Sequence, residues 1–118
     1  MNTPIENPLA QWKTRFQKLR TDAPDVARAF GGLHVGVMKE ANLSLREKEL
    51  IALAVGITQG CTDCIWIHAE GSLKAGATRE QVIEAAGVAV MMGGGPAFVH
   101  LPDVLEALDH LQTATPKP

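Results

Sequence analysis

The feature that most restricts the fold is a helix start followed by a run with no polar face. Ser44-Leu45-Arg46-Glu47 has the spacing of a capping box, in which a serine hydroxyl and a glutamate carboxylate satisfy free amides at the first turn. The stretch that follows, Glu49-Leu50-Ile51-Ala52-Leu53-Ala54-Val55, is apolar almost all round the helix. Such a helix belongs at the centre of a protein or in an interface between subunits, because no side of it favours water. Other elements must therefore cover it. Aromatic residues make up only 4% of the chain, with no Tyr, against 46% hydrophobic residues. The core must then come from Ala, Val, Leu and Ile, which suit close helix packing better than a sheet.

The remaining punctuation divides the chain into about six helical pieces. Asn7-Pro8 is a helix-start signal, and the piece it opens, through Leu19, carries Leu9, Trp12, Phe16 and Leu19 as a one-sided apolar stripe. Asp22-Ala23-Pro24 turns the chain into a second piece running to about Glu40, which Gly31, Gly32 and Gly36 weaken and which Gly31-Gly32 can divide. After the central apolar helix, Thr58-Gln59-Gly60 makes a break, and a new helix is expected from near Cys61 to Ala75, with Gly76 as its stop. Thr78-Arg79-Glu80-Gln81 is a second capping box, opening a helix with Val82, Ile83, Ala86, Val90 and Met91. Gly93-Gly94-Gly95-Pro96 ends it and starts a last helix that Pro102 should kink or split. The glycine run lacks a preceding strand and a Lys-Ser/Thr ending, so it reads as a helix–helix connection rather than a phosphate loop. The expected fold is an all-α, compact bundle forming a single domain over residues 1–111, with 112–118 as a flexible tail.

Charge and cysteine usage narrow the functional class. The net charge is −2, from 11 basic and 13 acidic residues, and no basic run or aromatic-spaced basic patch occurs, so nucleic acid is not an expected partner. No apolar run reaches the roughly 18 residues of a membrane span. Met1 to Pro8 has neither a cationic segment nor an apolar stretch, so no export signal is expected and a cytoplasmic location is the default. The chain has two cysteines, two residues apart. In a reducing compartment that spacing points to reactive or metal-binding thiols more than to a structural staple.

Cys61, Cys64 and His68 stand at i, i+3 and i+7 of one expected helix and so share a face. Cys61 falls at or just before the first turn, where unpaired amides and the helix dipole favour a thiolate. His68, four residues after Cys64, can reach that sulfur directly or through a water, the arrangement that activates a cysteine nucleophile. The second thiol can then attack an oxidised or mixed-disulfide sulfur. A metal reading of the three residues is weaker, since structural zinc usually takes four ligands, often as two separated pairs. His34, His100 and His110 are isolated and show no ligand spacing, so no metal or other cofactor is expected. Trp66 and Met91-Met92 read as core or subunit-contact residues. Glu49 stands apart from Arg46, Glu47 and Lys48 because Leu45, Ala52 and Leu53 surround it at helical spacing. A carboxylate so placed can exchange protons with a nearby histidine.

Glu49, eleven residues, Cys61-Thr62-Asp63-Cys64, three residues and His68 together resemble the motif of the alkyl hydroperoxidase D-like proteins of the carboxymuconolactone decarboxylase superfamily. The run from Leu43 to Val55, and Ala75-Gly76-Ala77-Thr78-Arg79-Glu80-Gln81-Val82, are also close to that family's wording, so the similarity covers roughly residues 24 to 111. The resemblance implies an all-helical fold assembled as homotrimers or homohexamers. It also implies thiol-dependent reduction of a small hydroperoxide, or disulfide exchange, with electrons from a separate reducing partner. Carried over by position, Cys64 would be the sulfur that is oxidised or attacks a disulfide. Cys61 would resolve it as a Cys61–Cys64 disulfide, and His68 and Glu49 would form the proton relay.

One position departs from the pattern. Members with well-developed peroxidase activity often carry a histidine immediately before the second cysteine, where this chain has Asp63. A carboxylate beside a thiol disfavours the thiolate, which argues against vigorous peroxidase activity, although Asp63 also fits a helix cap. The alternative functions are a decarboxylase-type lyase using His68 and Glu49 without thiols, and a metal-binding or non-catalytic helical module. True decarboxylases generally lack the cysteine pair.

Overall fold

The structure, a computed structural model, describes residues 7–114. The regular structure among them is helical: α1 (Pro8–Asp22), α2 (Pro24–Met38), α3 (Leu45–Thr58), α4 (Thr62–Lys74), α5 (Arg79–Gly93), α6 (Gly95–Phe98) and α7 (Leu101–Ala114). No described helix is long and apolar enough to cross a membrane. The chain divides into two compact units, one up to Lys39 and one from Glu40 onward.

The first unit is the α1–α2 pair. Asn7 opens α1 by accepting the Ala10 N–H at 2.9 Å, with Pro8 at the first helical position, where its missing donor costs nothing. Ala23 closes α1 through its N–H to the Leu19 carbonyl at 2.7 Å, and Pro24 starts α2 at once. Despite three glycines, α2 is one uninterrupted helix, so Gly31-Gly32 does not divide it. Val26, Phe30, Leu33 and Val37 recur along it at spacings of four, three and four, and all four are exposed.

The second unit is built round α3, which packs against α4, α5 and α6, while α7 packs on α4 and α5. Both capping boxes form. Ser44 and Glu47 exchange hydrogen bonds at 2.8 and 3.0 Å, and Thr78 and Gln81 at 3.0 and 3.1 Å. Leu53, Ile57, Ile65, Val82, Val104 and Leu108 form the centre of the core, with Ala77, Ala86, Ala89 and Ala97 filling the close approaches between helices. Each large side chain so buried contributes about 1.5–3 kcal/mol. The α3 helix is not covered all round: Ile51 and Val55 remain exposed.

Gly76, at φ 98°, ends α4 in a Schellman turn, its N–H donating to the Leu73 carbonyl and that of Ala77 to Ser72. The Ser72 hydroxyl itself is buried without a hydrogen-bond partner. The last helical segment is split, as Pro102 suggested, but the break falls at Val99 and His100, and Pro102 sits in the opening turn of α7. The split raises the helix count from about six to seven. The end of α7 takes in part of the segment expected to be a tail. Arg79 bridges from the start of α5 to Asp109 at 2.9 Å and to Gln112 at 3.0 Å, holding that last turn in place. Residues 115–118, and residues 1–6 on which the expectation of no export signal rests, lie outside the described residues.

Two stability predictions follow from these contacts. The Glu47 carboxyl lies below its ordinary value of 4.5, chiefly because the Ser44 backbone N–H donates to it and then because of the Ser44 side chain. A depressed folded-state value means that its contribution is full above 4.5 and is lost as pH falls through the lowered value. Glu47→Gln should therefore flatten that acid limb of the stability curve, measured by thermal melts between neutral and acid pH. Ser72→Ala, which deletes an unpaired buried hydroxyl, should be as stable to urea as wild type or up to about 1 kcal/mol more stable.

Candidate active site

The turn between α3 and α4 brings the two cysteines into position. Gly60, at φ 65°, takes the left-handed conformation that L side chains avoid, and the Cys61 N–H returns to the Gly56 carbonyl at 2.9 Å. Cys61 is the N-cap of α4, its Sγ accepting the Cys64 N–H at 3.2 Å. Cys61 and Cys64 are joined as a disulfide with S–S 2.09 Å and Cα–Cα 5.2 Å. The cap is thus a sulfur rather than the Asp63 carboxylate. Asp63 lies in the first turn of α4, where a negative charge complements the helix dipole.

One turn beyond Cys64, the His68 Nδ1 lies 2.6 Å from Glu49 Oε1 on α3. An ionised carboxylate only accepts, so the ring donates through Nδ1 and its Nε2 is left for another partner. Both groups are largely shielded, with side-chain exposures of 18% for His68 and 11% for Glu49. The neighbouring charges of the α3 first turn behave differently: Arg46 and Glu47 are exposed and Lys48 is half-buried. Helical phase is what turns Glu49 inward among Leu45, Ala52 and Leu53.

Two glycines make these approaches possible. A methyl group at Gly71 would fall on the Glu49 carboxylate, 2.7 Å from Oε1, and one at Gly56 would lie 3.0 Å from the Cys64 Cβ. Neither was singled out from the sequence, although a glycine inside the apolar α3 run is itself a sign of close approach. A second histidine–carboxylate pair was also missed. His100 Nδ1 lies 2.9 Å from Asp103 Oδ2, and Thr62 Oγ1 donates to the same oxygen at 3.4 Å. In the sequence His100 stands isolated, because its partner lies across Pro102. His110 packs its ring at a tilt on Trp66, with centroids 5.7 Å apart. Trp66 is buried, while Met91 and Met92 are exposed and so do not belong to this chain's own core. Among the described residues no three His, Cys, Asp or Glu side chains converge as a metal site.

The description of the carboxymuconolactone decarboxylase family matches residues 24–108. The chain belongs to this family. It is 32% identical over 111 residues to an uncharacterised protein of Cupriavidus necator, covering 94% of this chain and 98% of that one. It is 34% identical over 70 residues to the alkyl hydroperoxide reductase AhpD of Corynebacterium kroppenstedtii, covering 59% of this chain and 40% of that longer relative. The crystal structure of an apo carboxymuconolactone decarboxylase family protein from Legionella pneumophila superposes with a TM-score of 0.83 at 34% identity, covering 87% of this chain and 92% of that one. Glu49, Cys61, Cys64 and His68 all fall inside the matched segment.

Gly71→Ala tests how far the site depends on this approach. Alanine gains about 1 kcal/mol of helix propensity over glycine, which offsets only part of the cost of displacing the buried Glu49 carboxylate from His68. The variant is expected to melt below wild type, and the His68 ring resonances to shift on loss of the Glu49 contact, as read by nitrogen-15 NMR of the imidazole.

Proposed function

We propose that this family member is a thiol-dependent oxidoreductase that reduces small hydroperoxides, or exchanges disulfides, through Cys61 and Cys64. The observation that carries the reading is the Glu49–His68 contact at 2.6 Å, one helical turn from the disulfide. A base oriented by a carboxylate beside a dithiol is the arrangement needed to activate a cysteine nucleophile. Its relatives support the class: the family bears the name of a decarboxylase, and relatives of modest identity bear the name of an alkyl hydroperoxide reductase.

In this reading His68 Nε2 takes the proton from Cys64. The thiolate attacks the terminal oxygen of the hydroperoxide, an S–O bond forms and the O–O bond breaks. The departing alkoxide leaves as an alcohol once protonated, and Cys64 is left as a sulfenic acid. Cys61 then attacks that sulfur. An S–S bond forms, the S–O bond breaks, and hydroxide leaves as water with the Cys61 proton. A dithiol donor of electrons restores both thiols by exchange. Asp63, beside Cys64, is a charge against which the thiolate must form, consistent with a slow peroxidase or with disulfides as the preferred oxidant.

The protein works as a homo-oligomer in this reading, with the trimer and the hexamer as the two assemblies to test by light scattering. The exposed apolar residues of α3 and α5 in the second unit, and separately those of α2 in the first, supply contact surfaces. The Glu49–His68 pair also supports a second reading, proton transfer on a lactone by a decarboxylase-type lyase, which needs neither cysteine.

The two are separated by counting thiols in reduced protein before and after one equivalent of organic hydroperoxide. Both thiols should disappear far faster than free cysteine reacts, and a dithiol should restore them. Cys64→Ser should abolish the reaction, and Cys61→Ser should leave a sulfenic acid that a dione probe traps. Equal loss in both variants with nothing trapped would overturn these roles, and lactone decarboxylation that survives loss of both cysteines would establish the lyase.

A further inference from the structure

We infer that His100, held by Asp103, handles the proton of Cys61, so that each sulfur of the dithiol has its own histidine–carboxylate pair. This rests on the oxidoreductase reading above for its place in the cycle, but not for its geometry. The two residues that flank Cys61 both touch the pair. A methyl group at Gly60 would lie 3.1 Å from His100 Nε2, so that nitrogen looks onto the Gly60 side of the turn. On the other side, Thr62 Oγ1 donates to Asp103 Oδ2 at 3.4 Å. Cys61 is the residue between these two in the chain.

The orientation is the one proton transfer requires. Asp103 Oδ2 accepts from His100 Nδ1 at 2.9 Å, so the hydrogen is on Nδ1 and Nε2 carries the free lone pair. Nε2 therefore faces the turn that carries Cys61, and in this proposal it reaches the Cys61 sulfur through a water. Both side chains are more than two-thirds buried, which holds the pair in one arrangement. The pair is also tied to the α4 start by structure rather than by sequence proximity, since Thr62 and Asp103 are far apart along the chain and meet where α7 packs on α4. Glycine at position 60 is needed twice over, for its φ of 65° and for the space that His100 fills.

The chemistry assigns the pair to the resolving step. When Cys61 attacks the sulfenic acid at Cys64, its proton passes to His100 Nε2 as the S–S bond forms. The same proton can then go to the hydroxide that leaves Cys64, so that water departs and His100 returns to its starting state. Without His100 the Cys64 N–H, which already contacts Cys61 Sγ, would be the only described hydrogen-bonding aid to a Cys61 thiolate. The charged groups on the elements packed round His100 are few. The last turns of α3 and α5, and the whole of α6, carry none; the first turn of α4 brings Asp63, and α7 brings Asp103, Glu106, Asp109 and His110. Of the two histidines, His110 packs on Trp66, and His100 is the one paired with Asp103 beside the Cys61 turn.

The test isolates each thiol. In full-length Cys64→Ser protein, the alkylation rate of the lone Cys61 by iodoacetamide is followed against pH, with and without His100→Gln. The expected result is a roughly tenfold slower reaction at neutral pH, with the midpoint of the profile displaced upward. The lone Cys64 of a Cys61→Ser protein should be unaffected by His100→Gln. Asp103→Asn, which keeps the side-chain shape, should produce a smaller displacement at Cys61 alone, and it decides the matter if His100→Gln melts well below wild type. An unmoved Cys61 profile in both variants, or equal changes at both cysteines, would overturn the inference. A wild-type protein inert to hydroperoxide whose Cys61 still responds to His100→Gln would defeat the peroxidase reading and leave this one standing.

Discussion

The site depends on a carboxylate held where water barely reaches it. Glu49 lies on the innermost helix of its unit with 9% of its surface exposed, and a charge in that position is tolerated only if a partner replaces the lost water. His68 is that partner, at 2.6 Å and from a different helix. The contact therefore constrains how α3 and α4 pack, and the rest of the local structure is arranged to permit it. Gly71 leaves room for the carboxylate and Gly56 for the first turn of α4. The Ser44 capping box sets where α3 begins, and so which residue of its first turn faces inward. An alanine at Gly71, though a better helix former, would occupy the space of the carboxylate. Local helix propensity and the ion-pair geometry pull in opposite directions there, and the geometry prevails.

Most of the fold was legible because its signals are local. Both capping boxes, the Asn7-Pro8 start and the Gly76 stop act within one turn of the chain, and each appears where its spacing indicated. The Glu49–His68 pairing was legible through a resemblance, not through spacing, since the two are nineteen positions apart and Glu47 is an equally charged neighbour. What was not legible depends on packing between distant segments. Gly31-Gly32 do not break α2, because the loss of about 1 kcal/mol per glycine is spread over a helix whose other residues sustain it. The extension of α7 to Ala114 comes from Arg79, on another helix. His100 looked isolated for a similar reason: its acceptor is three residues away, but only the turn ahead of α7 brings the two together, and Thr62 joins from α4.

The two sulfurs of the candidate site sit in different electrostatic settings although only two residues separate them. Cys61 is a helix cap that receives a backbone N–H, whereas Cys64 lies inside the first turn, next to Asp63 and a turn before His68. A cap hydrogen bond with the helix dipole is typically worth about 1 kcal/mol or less at an exposed position. It lowers the cost of a thiolate but gives the proton nowhere to go. A histidine supplies the destination. The proposed division of labour, with His68 serving Cys64 and His100 serving Cys61, removes the conflict between dipole and base, because each sulfur becomes competent at its own step. It also accounts for why Asp63 is tolerable: the repulsion it exerts on Cys64 is opposed by a base already oriented by Glu49.

The apolar helix with which the fold begins has two different faces. Leu53, Gly56 and Ile57 are buried against neighbouring helices, while Ile51 and Val55 on the same helix are exposed. A run without a polar side can be explained by a core or by a subunit interface, and the helices of its own unit cover one face of α3. On α5 the pattern repeats, with Val82, Ala86 and Ala89 inside and Val88, Met91 and Met92 outside. Methionine suits such an outer face, since its unbranched side chain adapts to whatever packs against it. These outward residues lie on the helices that carry or support Glu49 and the Cys61 turn. A second copy covering them would further exclude water from the back of the site and stiffen the scaffold that holds the carboxylate. The oligomer proposed for this protein is thus tied to the chemistry through α3, the element that both subunit contact and proton relay require.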